Sequence, residues 1–244
     1  LFLVYQPKVD LSSDTIVGVE ALLRWRHPEF GDVSPTVFIP IAEETGIIDH
    51  LGEWVLQGAC EQARQWQQSD LGNLQMAVNV SSHQLKSGNL ACSVKKTLDR
   101  TGLDPQLLEF ELTESMLMDN TDSIVGLLHD LKALGVSMSV DDFGPGYSSM
   151  AYLWRFPVVA IKIDSAFVAD ISDGSSDAVL VRAIVGLASG INLKTVAEGI
   201  ENQEQLDFLR RCGCDQVQGF YLHKPMEASQ LEPLLRSAKE TITS

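Results

Sequence analysis

Residues 1–25 read LFLVYQPKVDLSSDTIVGVEALLRW, and the fold turns on how the two apolar runs inside them are joined. Leu1–Gln6 and Ile16–Trp25 both read as buried strands. A crossover between parallel strands takes a dozen or more residues. The segment 7–15 is too short for one, so the two runs are expected to form an antiparallel hairpin.

Further strand candidates follow at Gln75–Val80, Leu107–Leu112, Val136–Val140, Val158–Ile163, Leu193–Ala197 and Gln216–Phe220. Most are continuous apolar runs, as strands covered on both faces require. Helical patterns lie between them, for instance at Leu51–Gln67, Asp122–Leu134, Asp177–Ser189 and Gln203–Arg211. Gly135 and Gly190 stand where helix-ending glycines are expected. About eight strands alternating with helices predict an α/β fold, a modified (β/α)8 TIM-like barrel with one antiparallel strand. Either hairpin strand could be the reversed one. No low-complexity linker divides the chain, so residues 1–244 are expected to form a single barrel domain. The sequence opens at Leu1 inside a strand-like run without a methionine, which predicts a piece of a longer multidomain protein.

Composition narrows the function classes. The formal charge is −15, which argues against a groove for long nucleic acid, since that needs clustered Lys and Arg. A small anionic ligand held through metal ions stays compatible with it. Of Cys60, Cys92, Cys212 and Cys214, only the last two are close in sequence, and no second pair or nearby histidine completes a zinc site. Free thiols in a reducing compartment are expected, hence a cytoplasmic domain. There is neither a signal peptide nor an apolar run of membrane-spanning length.

The informative feature is where the buried strands turn polar. Asn79, Glu111, Asp141 with Asp142, Lys162 with Asp164, Glu198, and Gln218 fall at or near the ends of successive strands. In a parallel barrel those ends converge on one mouth. Each position has a plainer reading: an Asp pair as a turn, Asn79 as a helix cap, Glu111 and Glu114 as the acidic start of a helix, Lys162 in a structural ion pair. Those readings weaken together, because polar residues recur at the same end of strand after strand. So many carboxylates must be protonated or neutralised by cations. An oxygen-only set of Glu, Asp and Asn suits Mg²⁺ or Mn²⁺. An Asp-Asp pair can bridge two such ions, the arrangement that clamps attacking and leaving oxygens in phosphoester cleavage.

VGVEALLRWRHP around Glu20, NVSS at Asn79–Ser82, ELTES at Glu111–Ser115, DDFG at Asp141–Gly144, KID at Lys162–Asp164, AEGIE at Ala197–Glu201 and QGF at Gln218–Phe220 occur in this order. Together they resemble the EAL domain, the bacterial family of cyclic di-GMP phosphodiesterases, from YQP at Tyr5–Pro7 to KPM at Lys224–Met226. The resemblance implies hydrolysis of cyclic di-GMP to linear pGpG with Mg²⁺ or Mn²⁺, two ions per active site. The alternative is a receptor that binds cyclic di-GMP and cleaves it weakly or not at all. By motif, Glu20, Asn79, Glu111 and Asp141 resemble the ligands of one metal, and Asp141, Asp142 and Glu198 those of the second. Lys162 resembles the catalytic lysine, and Glu198 is a candidate for the water's proton. Gln6, Arg24 and Gln218 resemble substrate-contacting positions, and Glu114 an anchor for the loop after the Asp pair. The resemblance further implies a homodimer through the helix and loop after DDFG, where Met150–Trp154 is apolar, and makes an upstream sensory or GGDEF domain plausible. This chain departs from the family at Pro145, where the usual residue is Thr. The change removes a backbone N–H and a hydroxyl from that loop. Asp142-Phe143-Gly144 also spells the DFG of kinases, but neither a glycine-rich phosphate loop nor an HRD segment accompanies it.

Overall fold

The computed structural model describes residues 1–118, 122–144 and 153–243. Pro145 and residues 150–152 of the apolar segment therefore lie outside the described residues. Among the described residues there are nine strands: β1 (Phe2–Asp10), β2 (Thr15–His27), β3 (Gly31–Val33), β4 (Gln75–Asn79), β5 (Leu108–Thr113), β6 (Ser137–Phe143), β7 (Ala160–Ile163), β8 (Lys194–Ala197) and β9 (Gln216–Val217). Eight close into a ring in the order β1-β2-β4-β5-β6-β7-β8-β9, with β9 returning to β1. β3 stands outside the ring, paired with the far end of β2.

The expected hairpin is β1–β2, paired from Phe2↔Arg24 to Asp10↔Thr15. Its turn is held by Asp10, whose Oδ1 accepts from the amides of Ser12 and Ser13 at 3.0 Å each. An aspartate that satisfies the next amides in this way sets the turn locally. β2 runs parallel to β4, whereas β1 is antiparallel to both β2 and β9. β1 is therefore the reversed strand.

Period-two alternation assigns the two faces of the wall. In β5, Leu108, Phe110 and Leu112 are buried on the helix side, while Glu109 and Glu111 reach the interior. Outside the wall, the helix Ile48–Gln68 buries Val55, Leu56, Ala59, Ala63 and Trp66. Trp66 meets the ring of Tyr5 edge-on, with centroids 5.0 Å apart. The apolar core lies in this layer, and the barrel interior is largely polar: Gln6, Lys8, Glu20, Glu109, Glu111, Ser139, Asp141, Lys162 and Gln218 are all buried.

Several boundaries differ from expectation, and two of the differences involve glycine. Gly135 does take the left-handed conformation past the helix Asp122–Ala133, with φ 95°. Gly190 is instead the last residue of the helix Ser176–Gly190, and Asn192 adopts the left-handed turn, with φ 59°. The last strand stops at Val217 rather than Phe220, because Gly219 crosses the backbone of Ile200. A Cβ at Gly219 would lie 2.3 Å from both the nitrogen and the oxygen of Ile200. We expect Gly219→Ala to lower stability by about 1–3 kcal/mol through forced backbone displacement, measured by urea unfolding. An unchanged midpoint would refute this close approach.

Candidate active site

The strand ends deliver their side chains to one cleft at the C-terminal mouth of the parallel strands. Its cavity volume is about 470 Å³, and it is lined by Gln6, Glu20, Asp141, Lys162, Glu198 and Gln218 among others. Lys162 stands at its base, 1% exposed. Its Nζ lies 2.6 Å from Glu111 Oε2, 2.8 Å from Glu198 Oε1, 3.0 Å from Asp141 Oδ1 and 3.7 Å from Glu20 Oε2. Glu20 is held from both sides, Oε1 accepting from Asn79 Nδ2 at 2.6 Å and Oε2 from Gln218 Nε2 at 2.7 Å. Gln218 also donates to Gln6 Oε1 at 3.1 Å, and Gln6 donates to the His223 carbonyl at 3.2 Å.

The Asp pair depends on an irregularity of β6. Val140 pairs with Ile161 and Phe143 with Ile163, so Asp141 and Asp142 together oppose the single residue Lys162. This is a β-bulge, and it frees Asp142 from strict alternation. Asp142 takes a left-handed conformation, with φ 54°, which aspartate tolerates better than most residues. As a result, Asp141, Asp142 and Glu198 each bring a carboxylate oxygen within 4.8 Å of the others. The next turn is equally constrained. Gly144 has φ 144°, a Cβ there would sit 2.0 Å from the Phe167 ring, and its amide donates to Glu114 Oε2 at 3.4 Å.

Electrostatics follow from burial and crowding. Burial pushes the Glu198 carboxyl up to about 8, against the opposing pull of Lys162. Burial also raises Glu20, with the Glu111 charge adding to it. Asp141 is raised by burial as well, and so is Asp142, with Asp164 beside it. Glu111 goes the other way. Burial favours its neutral form, but Lys162 and Lys8 outweigh that and hold the carboxyl down at about 2. Lys162 is kept firmly charged, because Glu111, Glu20, Glu198 and Asp141 overcome the cost of burial. The donor set is all oxygen and partly buried, and neighbouring acids resist ionising together. This is the chemistry that a hard divalent cation fits.

Residues 1–225 match the EAL domain family. The chain belongs to that family. It is 47% identical over 231 residues to the bifunctional diguanylate cyclase/cyclic di-GMP phosphodiesterase MucR of Pseudomonas aeruginosa, covering 95% of this chain and 34% of MucR. It is 43% identical over 237 residues to the cyclic di-GMP phosphodiesterase NbdA of the same organism, covering 97% of this chain and 30% of NbdA. The chain thus spans about a third of the length of these relatives. A solved structure described as PaMucR phosphodiesterase in complex with c-di-GMP superposes with a TM-score of 0.91 at 46% identity, covering 94% of this chain and 93% of that one. The reversed strand and the mouth-facing acids are therefore seen in an EAL barrel.

The EAL cleft gathers Gln6, Glu20, Asp141, Lys162, Glu198 and Gln218, with Glu111 beneath and Asn79 at its edge. Arg24 is placed otherwise. It lines a neighbouring, mainly apolar groove with Leu23, Ile39, Leu51 and Val55, and its Nη1 donates to the Leu23 carbonyl at 2.9 Å. Sequence reasoning missed Lys8, Glu109 and Ser139. It ended the first strand at Gln6, but β1 runs on to Asp10, which puts Lys8 inside on the same face as Gln6. The signal was a period of two, Gln6-x-Lys8 and Glu109-x-Glu111. It also passed over Phe220, an exposed ring on the cleft wall with the Lys224 ammonium 5.8 Å from its centroid.

Proposed function

We propose that this EAL domain hydrolyses one phosphodiester of cyclic di-GMP to give linear pGpG. The observation that carries this reading is the convergence of Glu20, Glu111, Asp141 and Glu198 on Lys162 at one open cleft, with Asp142 beside Asp141 and Glu198. Glu20, Asn79, Glu111 and Asp141 would hold one Mg²⁺ or Mn²⁺, and Asp141, Asp142 and Glu198 a second, with Asp141 shared. Charge supports two ions: among the described residues, five interior carboxylates (Glu20, Glu109, Glu111, Asp141, Glu198) face the two ammonium groups of Lys8 and Lys162, and the exposed Asp142 adds a sixth carboxylate at the rim. When bound, such ions make a water nucleophilic near neutral pH and polarise the phosphoryl oxygens.

The protein's own groups do the rest. The Lys162 ammonium stabilises charge that develops on the phosphoryl oxygens as the water adds. Glu198, 2.8 Å from the Lys162 ammonium, is suited to take the water's proton and return it to the leaving oxygen when it is not fully engaged by an ion. Gln6 and Gln218 offer amide groups to the substrate, and Arg24 can reach a phosphate only by leaving its present bond to Leu23. Glu114 anchors the chain after the Asp pair through Gly144.

The test is incubation with cyclic di-GMP and Mg²⁺ or Mn²⁺, with pGpG followed by chromatography. Absence of product from a folded protein that binds the dinucleotide would favour the receptor reading. Glu20→Ala should lose turnover and weaken Mn²⁺ binding by at least tenfold in titration calorimetry, and unchanged values would remove Glu20 from the metal site.

The same reading makes the domain a homodimer through the segment after Gly144, which light scattering checks. It also makes the domain a cytoplasmic module joined to a sensory or GGDEF unit. MucR carries a second named activity and is far longer than the matched part. All four cysteines are free, and no helix among the described residues is long and apolar enough to cross a membrane.

A further inference from the structure

Below the cleft lies a second lysine that the proposed chemistry does not use. Lys8 is 2% exposed and projects from β1 into the barrel. Its Nζ lies 2.7 Å from Glu111 Oε1 and 3.1 Å from Glu109 Oε1. The same Glu109 oxygen accepts from Ser139 Oγ at 3.1 Å, and Ser139 is fully buried. Glu111 is thus gripped from two sides, Oε1 by Lys8 and Oε2 by Lys162 at 2.6 Å. A buried ion pair is an expensive way to fill a barrel floor, and apolar residues of similar volume would serve stability as well or better. What the pair adds is orientation.

We propose that Lys8 is a positioning residue for the site. Anchored by Glu109 and Ser139, it holds Oε1 of Glu111 downward, so that Oε2 alone is presented to the cleft. Three strands, β1, β5 and β6, supply the three anchors, so the carboxylate plane is set by the closed wall rather than by a loop. Partners that orient a metal-binding side chain in this way are typically worth about 10–100-fold in metal affinity or activity. The inference rests on the reading of Glu111 as a metal-holding residue.

The double variant Lys8→Met/Glu109→Gln tests it, because it removes one charge of each sign and leaves the net charge of the cluster unaltered. Mn²⁺ affinity is read by calorimetry on the wild-type and double-variant proteins. Cyclic di-GMP turnover is read alongside it. The expected result is Mn²⁺ affinity weakened about tenfold or more, kcat lowered by a similar factor, and KM for the dinucleotide little changed. A folded double variant with wild-type Mn²⁺ affinity would make Lys8–Glu109 a structural pair only and overturn the proposal while leaving the proposed reaction intact. A wild-type protein that binds no Mn²⁺ would sink both. Wild-type protein that binds Mn²⁺ but hydrolyses nothing, with affinity lost in the variant, would support the positioning role and reject the reaction. Should the double variant not fold, a crystal structure of Mn²⁺-loaded wild type decides. Lys8 still bonded to Glu111 Oε1 upholds the proposal, and Lys8 displaced from it refutes it.

Discussion

Asp141→Asn is expected to lower kcat for cyclic di-GMP by about 10³-fold while leaving the fold as stable as before or more so. The activity loss corresponds to the several kcal/mol that a correctly held divalent cation contributes to charge stabilisation. Asp141 is the one acid placed to serve both proposed ions, since it contacts Lys162 at 3.0 Å and stands next to Asp142 and Glu198. The stability effect has the opposite sign. Burial and the charges of Glu111 and Asp142 already press the Asp141 carboxyl toward its neutral form, so a neutral amide of the same shape relieves repulsion. The paired measurement is steady-state turnover and the thermal midpoint in EDTA. A variant that retains activity would exclude Asp141 from the reaction. One that loses activity only by unfolding would show the acid to be structural.

The second large effect is a stability that falls as pH rises in the absence of divalent cations. A carboxyl raised in the folded state holds its proton where the unfolded chain has lost it, and deprotonating it then costs the fold. For Glu198 the window runs from the ordinary value of 4.5 up to about 8. Glu20, Asp141 and Asp142 are raised too and act in the same direction. Glu111 acts the other way. It is held near 2, so it stabilises the fold above 4.5 and that contribution is lost as pH falls toward 2. The metal-free protein should therefore be most stable near pH 5. For a chain of this size each kcal/mol shifts the midpoint by about 2–4 °C, so a fall on the order of 10 °C between pH 5.5 and 8 in EDTA is expected. Saturating Mn²⁺ should abolish most of that fall, because the ions bind the deprotonated acids. Equal midpoints at both pH values in EDTA would contradict the burial of the acids described above.

The hairpin at residues 1–25 was legible because nine intervening residues cannot cross a sheet. The identity of the reversed strand was not, because it is decided by the neighbours, β4 beside β2 and β9 beside β1. Asn79, Glu111, Asp141, Lys162 and Glu198 could be read from recurrence at strand ends, whereas Glu20, in the middle of its run, was picked out only by the resemblance; the wall brings all six together. Asp142 was legible as an acid, but the bulge that lets it share a face with Asp141 was not. A bulge depends on the pairing of β6 with β7 and leaves little trace in the local pattern. Lys8 escaped because the first strand was ended at Gln6, so the period of two was not followed past Pro7; the register Gln6↔Glu20, Lys8↔Gly18 places it inside. Arg24 was read for its chemistry, and the structure gives it a backbone partner in the neighbouring groove.

The two-against-one pairing of β6 also has a meaning in chain length. With Val140 on Ile161 and Phe143 on Ile163, the wall would close in unbroken register with one residue fewer between them. Such a shortened strand would need no left-handed aspartate, a conformation that costs of order 1 kcal/mol or more. The barrel therefore carries one residue that its architecture does not require, and that residue is an acid on the rim of the cleft. A single deletion there should give a tighter, better-formed protein that has lost one wall of its candidate binding site.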